Sequence, residues 1–283
     1  MKTIGIVGAG IMGRGIAYLA ALSGFDILLH DLSEDILKQA MQRISSDLRK
    51  GVEKGKITSQ QASEVSSKLH PRTSLDDFKE CEIVIEAIIE SLEIKKETFK
   101  KLDEMCPPQT ILATNTSSLS VTSIASSVGE PTRVVGMHFF NPPYVMKLVE
   151  VVHGHQTSER TLQRTVELAR QLGRTPVVVK DTPGFIVNRI ARPFYGEALR
   201  LLGEGVASVE DIDRIVKLEG GFTMGPFELM DLIGTDVNLA VTKSIYERTF
   251  GEPRYRPHII QQTMVDAGLW GRKTKRGFYT YDS

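Results

Sequence analysis

Cysteine is nearly absent from this sequence: Cys81 and Cys106 are the only two in 283 residues. Two thiols make no disulfide framework and fit a reducing compartment, with buried packing as their ordinary role. Charge of one sign is missing as well. Lys plus Arg and Asp plus Glu each total 35, so no global field draws the chain to nucleic acid or to an anionic membrane surface. An anionic ligand has to be met by local positive charge. No apolar run approaches the ~20 residues needed to cross a bilayer. The N-terminus passes directly into strand-like sequence, which leaves no room for a cleaved leader. A cytoplasmic protein is expected, without internal repeats or low-complexity segments, and long enough for one large domain or two modest ones.

What the chain does have is concentrated at its start, in residues 2–31. An apolar run, Ile4–Val7, leads into Gly8-Ala9-Gly10-Ile11-Met12-Gly13, then into Ala/Leu-rich sequence with helical spacing, then into a second apolar run, Ile27–Leu29, that stops at Asp31. This order of strand, glycine turn, helix, strand and acid suits a dinucleotide. Gly8 permits a turn closed to residues with a Cβ, Gly10 lets backbone N–H groups approach a pyrophosphate, and Gly13 lets helix and strand pack closely. The helix N-terminus adds free amides and positive dipole. Asp31, eighteen residues past Gly13, is placed to accept hydrogen bonds from an adenosine ribose. A carboxylate there repels a 2′-phosphate, and no Arg follows in Leu32-Ser33-Glu34-Asp35, so NAD is favoured over NADP.

Beyond Asp31 the pattern turns helical and charged, with Ser33 as N-cap and apolar positions from Ile36 to Leu48. A second helix starts at Thr58 and runs to about Leu69. The first arm of this hairpin carries Arg43, Arg49, Lys50, Lys54 and Lys56, ordinarily a solvated face. Strand patterns return at Ile83–Ala87, Ile111–Thr114, Arg133–Phe140, Lys147–His153 and Thr175–Val179, alternating with helices. This predicts an α/β fold: a Rossmann-type, doubly wound, mostly parallel sheet with a helical-hairpin insertion, over residues 1–183. From Pro183-Gly184 onward strand signals fade. Residues 184–283 are expected to form an all-helical C-terminal domain, with helices near Phe185–Leu202, Val209–Leu218, Pro226–Thr249 and His258–Ala267. Apolar stripes there, such as Phe227, Leu229, Leu232 and Ile233, predict a homodimer interface. The basic, aromatic tail from Trp270 to Tyr279 could fold back over a neighbouring surface.

Six histidines are candidates for acid–base work, because imidazole titrates near neutrality. His30 lies within the second strand, His70 precedes Pro71 in an expected loop, and His258 starts a helix. His153 and His155 flank Gly154, but no further ligands accompany them, so a zinc site is rejected. His138 ends an apolar strand where an open α/β sheet presents its ligands. Glu150 follows twelve residues later, and a hairpin through Asn141–Met146 would bring the two together. A carboxylate there orients an imidazole. The bland alternative is a structural histidine and a rim glutamate. Asn115-Thr116-Ser117-Ser118 follows a strand, where helix capping is the usual role of such residues. Asn188 would ordinarily be a helix-surface residue, or could face a cleft.

The blocks VGAGIMGRGIA, HD, VIEAIIE, NTSSLSVTSIA, RVVGMHFFNPP, KLVEVV, KDTPGFIVNR, GPFELMDLIG and the RGFYTY tail, in order along nearly the whole chain, are together far more specific than the glycine motif. With them the chain resembles the L-3-hydroxyacyl-CoA dehydrogenase family, most closely its bacterial short-chain 3-hydroxybutyryl-CoA members. The resemblance implies an NAD-dependent oxidoreductase acting on an acyl-CoA in an interdomain cleft. It implies His138 as catalytic base, Glu150 as its orienting acid, and Ser117 and Asn188 as the residues holding the substrate oxygen. Asp31 matches the ribose-binding acid. Glu90, Lys95, Asn141 and Lys273 match cofactor-contact positions, as Ser117 does in part, and Lys50 and Lys54 fall in the arm that grips coenzyme A. A dimerising helical domain, or a dimer of such dimers, is also implied. Two rivals stay open: a dehydrogenase of the same architecture acting on a free sugar acid, and a non-enzymatic crystallin-like role.

Overall fold

The computed structural model describes residues 3–282. Met1, Lys2 and Ser283, at the outer ends of the two expected domains, lie outside the described residues. By internal contacts the chain divides into two units, Met1–Thr182 and Pro183–Ser283.

The first unit is built on eight strands: β1 (Thr3–Val7), β2 (Asp26–His30), β3 (Leu69–Arg72), β4 (Ile83–Glu86), β5 (Ile111–Thr114), β6 (Val134–Phe139), β7 (Leu148–His153) and β8 (Thr175–Lys180). Their order is β3-β2-β1-β4-β5-β6-β7-β8. Every pair is parallel except β6 with β7. The central strands are largely apolar because parallel strands are covered on both faces. On one face β1 and β2 bury Ile4, Ile6, Ile27 and Leu29 in the main core. On the other, Gly5 is kept without a side chain because an added Cβ would stand 2.6 Å from the Phe78 ring.

Six helices connect these strands: α1 (Ile11–Leu22), α2 (Glu34–Glu53), α3 (Ser59–Ser67), α4 (Leu92–Met105), α5 (Val121–Ala125) and α6 (Glu159–Gln171). Ser33 caps α2 by accepting the Ile36 N–H, and Thr58 with Gln61 forms a capping box on α3. Between α3 and β4 the expected loop at His70-Pro71 is instead β3. Proline fits because β3 is the sheet's edge strand, where its missing N–H breaks no ladder on the open side.

The order reverses direction at β1, with β2 on one side and β4 on the other. Ligands of open α/β sheets bind above the strand ends at such a point.

The second unit holds α7 (Val187–Gly203), α8 (Val209–Leu218), α9 (Pro226–Ile233), α10 (Thr235–Arg248) and α11 (Ile259–Asp266). The single helix expected over Pro226–Thr249 is two, broken at Gly234, whose φ of 100° lies outside any helical region. Another expectation is corrected here: Phe227 is fully buried in this unit's own core with Tyr195, Leu199, Ile212 and Met230, and Leu229 packs against it. Neither needs a partner to cover it. Leu232 and Ile233 do stand exposed, as do Ile215, Leu218 and Phe222.

The tail docks on its own unit. Asp231, sealed from water, accepts from the Phe278 and Tyr279 amides and from the Tyr281 hydroxyl, and Asp213 accepts from the Tyr279 hydroxyl. Burial and the Asp231 carboxylate push the Tyr281 phenol up to about 12.

Candidate active site at the carboxyl edge of the sheet

The glycine turn joins β1 to α1 over an open surface. Gly8 has φ of 100°, and a Cβ on Gly13 would sit 1.7 Å from the Gly8 carbonyl oxygen, so both positions exclude other residues. At Gly10 a Cβ would meet nothing within 4 Å, so the missing side chain leaves the turn open to an approaching group. Gly10 is also the N-cap of α1 and supplies no side-chain cap, which leaves the first amides, from Ile11 and Met12 on, for an anion. The Asp31 carboxylate braces this turn from the end of β2: Oδ2 accepts the Ala9 N–H at 2.9 Å and Oδ1 the Ser33 N–H at 3.2 Å.

Next to them is a cavity of about 940 Å³. Gly8, Gly10 and Asp31 line it, together with the apolar Leu32, Ile36, Ile88 and Ile94. Anion-binding amides, a carboxylate and apolar walls fit the pyrophosphate, ribose and adenine of a dinucleotide. His30 also lines this cavity. Burial lowers its pKa, against the raising effects of its hydrogen bond to the Thr73 backbone and of Asp31.

Farther along the edge, β6 and β7 pair antiparallel with His138 directly opposite Glu150. Paired residues in adjacent strands point to one face. Here the imidazole Nδ1 lies 2.8 Å from Glu150 Oε2, with His138 5% and Glu150 1% exposed. The Phe140 ring packs 4.5 Å from the imidazole centroid. A carboxylate on Nδ1 orients the ring and directs Nε2 to exchange protons with a ligand.

Between glycine turn and dyad lies the loop after β5. Helix capping, the ordinary reading of its polar residues, belongs instead to Ser120, which accepts the Ser123 N–H at the start of α5. The preceding residues are gathered by Glu90. Its Oε1 accepts the Thr116 hydroxyl at 2.5 Å and the Ser117 and Ser118 amides at 3.0 and 3.2 Å. Burial would raise the Glu90 pKa, but Lys95, the Thr116 hydroxyl and these two amides outweigh it and hold the carboxyl below its usual range. Asn115 then ties the loop to β6 by accepting the Phe139 N–H at 2.9 Å.

The remaining predicted residues are dispersed. Lys95 is 1% exposed, its ammonium 2.5 Å from Glu86 and 3.5 Å from Glu90. Asn141 is exposed in the β6–β7 connection. Lys50 lies in the last turn of α2, which does run through Gly51, and Lys54 is its C-cap; both are exposed. Arg49, rather than either lysine, lines a cavity of about 470 Å³ against α2, α3 and the start of β3. In the second unit Asn188 lies in the first turn of α7. There Lys273 pairs with Asp236 at 2.5 Å, its ammonium 5.0 Å from the Trp270 ring centroid. Asn115, Glu86 and Thr114 were missed as participants. Asn115 left a trace in sequence at the head of the polar stretch after a strand, and Glu86 as an acid ending an otherwise apolar strand run.

Residues 3–182 match the 3-hydroxyacyl-CoA dehydrogenase NAD-binding domain, and residues 184–281 match the C-terminal domain of the same family. A 3-hydroxybutyryl-CoA dehydrogenase of Clostridioides difficile is 44% identical over 99% of each chain. A 3-hydroxyadipyl-CoA dehydrogenase of Escherichia coli is 46% identical over 99% of this chain, which spans only 59% of that relative's length. Among solved structures, the (S)-3-hydroxybutyryl-CoA dehydrogenase of Ralstonia eutropha superposes with a TM-score of 0.96 at 42% identity, all of each chain covered. The glycine turn with its acid and the two domain matches lead to one conclusion: this chain is an NAD-binding member of the 3-hydroxyacyl-CoA dehydrogenase family.

Proposed function

We propose that the protein interconverts (S)-3-hydroxybutyryl-CoA, with other short-chain 3-hydroxyacyl-CoA esters, and the corresponding 3-oxoacyl-CoA. The observation that carries this reading is the 2.8 Å contact between His138 and Glu150 on the sheet edge that also bears the glycine turn. His138 takes the proton of the C3 hydroxyl through Nε2, and Glu150 stabilises the imidazolium that forms. Ser117, held in place by Glu90, and Asn188 hydrogen-bond the oxygen on which negative charge develops. Bound NAD supplies the hydride acceptor. The amides from Gly8 to Gly13 would hold its pyrophosphate and Asp31 its ribose, and Glu90, Asn141 and Lys273 are proposed as further cofactor contacts, with Lys95 paired to Glu90. In the reverse direction His138 returns the proton as an acid.

Steady-state oxidation of NADH by acetoacetyl-CoA, by longer 3-oxoacyl-CoA esters and by a carboxylate-ended C6 ester tests the substrate range. The last is included because of the E. coli relative's name. Equal turnover of free 3-oxo acids would remove the CoA assignment.

Lys50 and Lys54 are proposed to bind the phosphates of coenzyme A from the end of α2. They lie one helical turn apart, with the Lys54 N–H bonded to the Lys50 carbonyl. Exposed charge contacts are worth only about 0.2–1 kcal/mol each and weaken with salt. A Lys50→Ala/Lys54→Ala variant should therefore raise KM for acetoacetyl-CoA several-fold, more at low salt, and leave KM for NADH unchanged. Unaltered acetoacetyl-CoA kinetics would reduce the arm to a solvated helix.

The helical unit is proposed to form a homodimer through the exposed Ile215, Leu218, Phe222, Leu232 and Ile233. Sedimentation at micromolar concentration should show a dimer or larger species, and a stable monomer would overturn this assignment.

A further inference from the structure

Glu86, the last residue of β4, is fully buried, and so in effect is Lys95 on α4. Glu86 Oε1 accepts from Lys95 Nζ at 2.5 Å and from the Ile88 N–H at 2.8 Å, while Oε2 accepts the Thr114 hydroxyl at 2.8 Å. The same ammonium lies 3.5 Å from Glu90 Oε2. Two carboxylates thus share one ammonium, and the cluster carries one net negative charge. As a device for stability this is poor, because taking charges out of water costs several kcal/mol per ion and a pair leaves no surplus to offset. Packed neutral residues in place of the whole cluster would hold the fold at lower cost.

The cluster's position suggests what the surplus charge does. It lies at the carboxyl ends of β4 and β5, between the glycine turn on β1 and His138 on β6. A dinucleotide with its pyrophosphate on that turn and its ribose on Asp31, at the end of β2, must extend the opposite way, over β4 and β5, for its reactive ring to reach His138. The ring then lies beside the Ser117 loop, which Glu90 organises. An oxidised nicotinamide carries a positive charge, and a reduced one carries none.

We propose that the Glu86–Lys95–Glu90 cluster discriminates between the redox states of the cofactor, its net negative charge favouring the oxidised, cationic ring. The His138–Glu150 dyad also faces this region but changes its proton content during turnover. The Glu86 cluster takes no part in that proton transfer, and it biases the enzyme toward the complex that starts alcohol oxidation. This inference rests on the NAD reading of the site and goes beyond it.

The test is calorimetric titration of NAD+ and of NADH, without acyl substrate, into wild type, Glu86→Gln and Glu90→Gln. Gln keeps an oxygen for Lys95 and removes one negative charge. In Glu86→Gln the Kd for NAD+ should rise by roughly 3- to 10-fold, the scale of one charge acting through a partly screened medium. The Kd for NADH should change less than about twofold on the same grounds. Glu90→Gln, at a partly exposed position, should move the NAD+/NADH ratio in the same direction and decides the matter if Glu86→Gln does not fold. An unchanged ratio overturns the proposal, whether both constants stay the same or both weaken in parallel as a purely structural role requires. Wild type that binds neither nucleotide would overturn the NAD reading itself, a result distinct from an unchanged ratio.

Discussion

Replacing His138 by Gln is expected to lower turnover with acetoacetyl-CoA by roughly 10²- to 10⁴-fold, the usual contribution of a positioned acid–base group. The imidazole is 5% exposed and uses Nδ1 against Glu150, so the proposed proton exchange with substrate would run through Nε2. Gln fills a similar volume and can hydrogen-bond to Glu150, but it has no nitrogen that gains and loses a proton near neutral pH. NADH affinity should be unaffected, because the glycine turn and Asp31 belong to β1 and β2, on the far side of β4 and β5 from β6. Single-turnover rates should fall with kcat, showing that chemistry and not product release is impaired. Near-normal turnover by a folded His138→Gln protein would remove this residue from the mechanism.

Much of this arrangement is legible in the chain because it is local. A parallel strand covered on both faces must be an apolar run, and a glycine turn between such a strand and a helix has few uses. The pairing of His138 with Glu150 follows from the two-residue period of strands once a hairpin through Asn141–Met146 is assumed. What escapes is set by distance or by neighbours. Pro71 argues for a loop until the position of β3 at the sheet's edge is known. Phe227 looks like an interface residue until α7 and α8 close over it. The Glu90 bonds to Thr116 and Ser117 cross 26 and 27 residues, and the Glu86 bond to Thr114 crosses 28. No periodicity carries such pairings. The only hint was an acid in an apolar strand, a place where charge is costly unless something meets it. The roles of Ser117, Asn188, Glu90 and Lys95 came from resemblance, not from pattern.

Replacing Glu150 by Gln should lower turnover on the order of 10²-fold. That lies between the 10- to 100-fold typical of a residue supporting a ligating or reacting group and the ~10⁴ lost when a buried Asp behind a catalytic His becomes Asn. Glu150 is 1% exposed on β7 and paired in register with His138, so the substitution alters chemistry with little change in volume. The side-chain amide can face Nδ1 in two ways, and both impair catalysis. If its NH2 group donates, Nδ1 must accept, Nε2 then carries the hydrogen, and no lone pair is left there to take the hydroxyl proton. If its carbonyl accepts, the tautomer is correct but no negative charge stabilises the imidazolium formed in oxidation and required in reduction. Both directions should therefore slow, while KM for NADH stays near its wild-type value and circular dichroism shows a folded protein. A Glu150→Asp variant keeps the charge but shortens the reach, so its activity should fall between wild type and Glu150→Gln. If Glu150→Gln turns over like wild type in both directions, the carboxylate serves only to fill the strand pair, and His138 works without it.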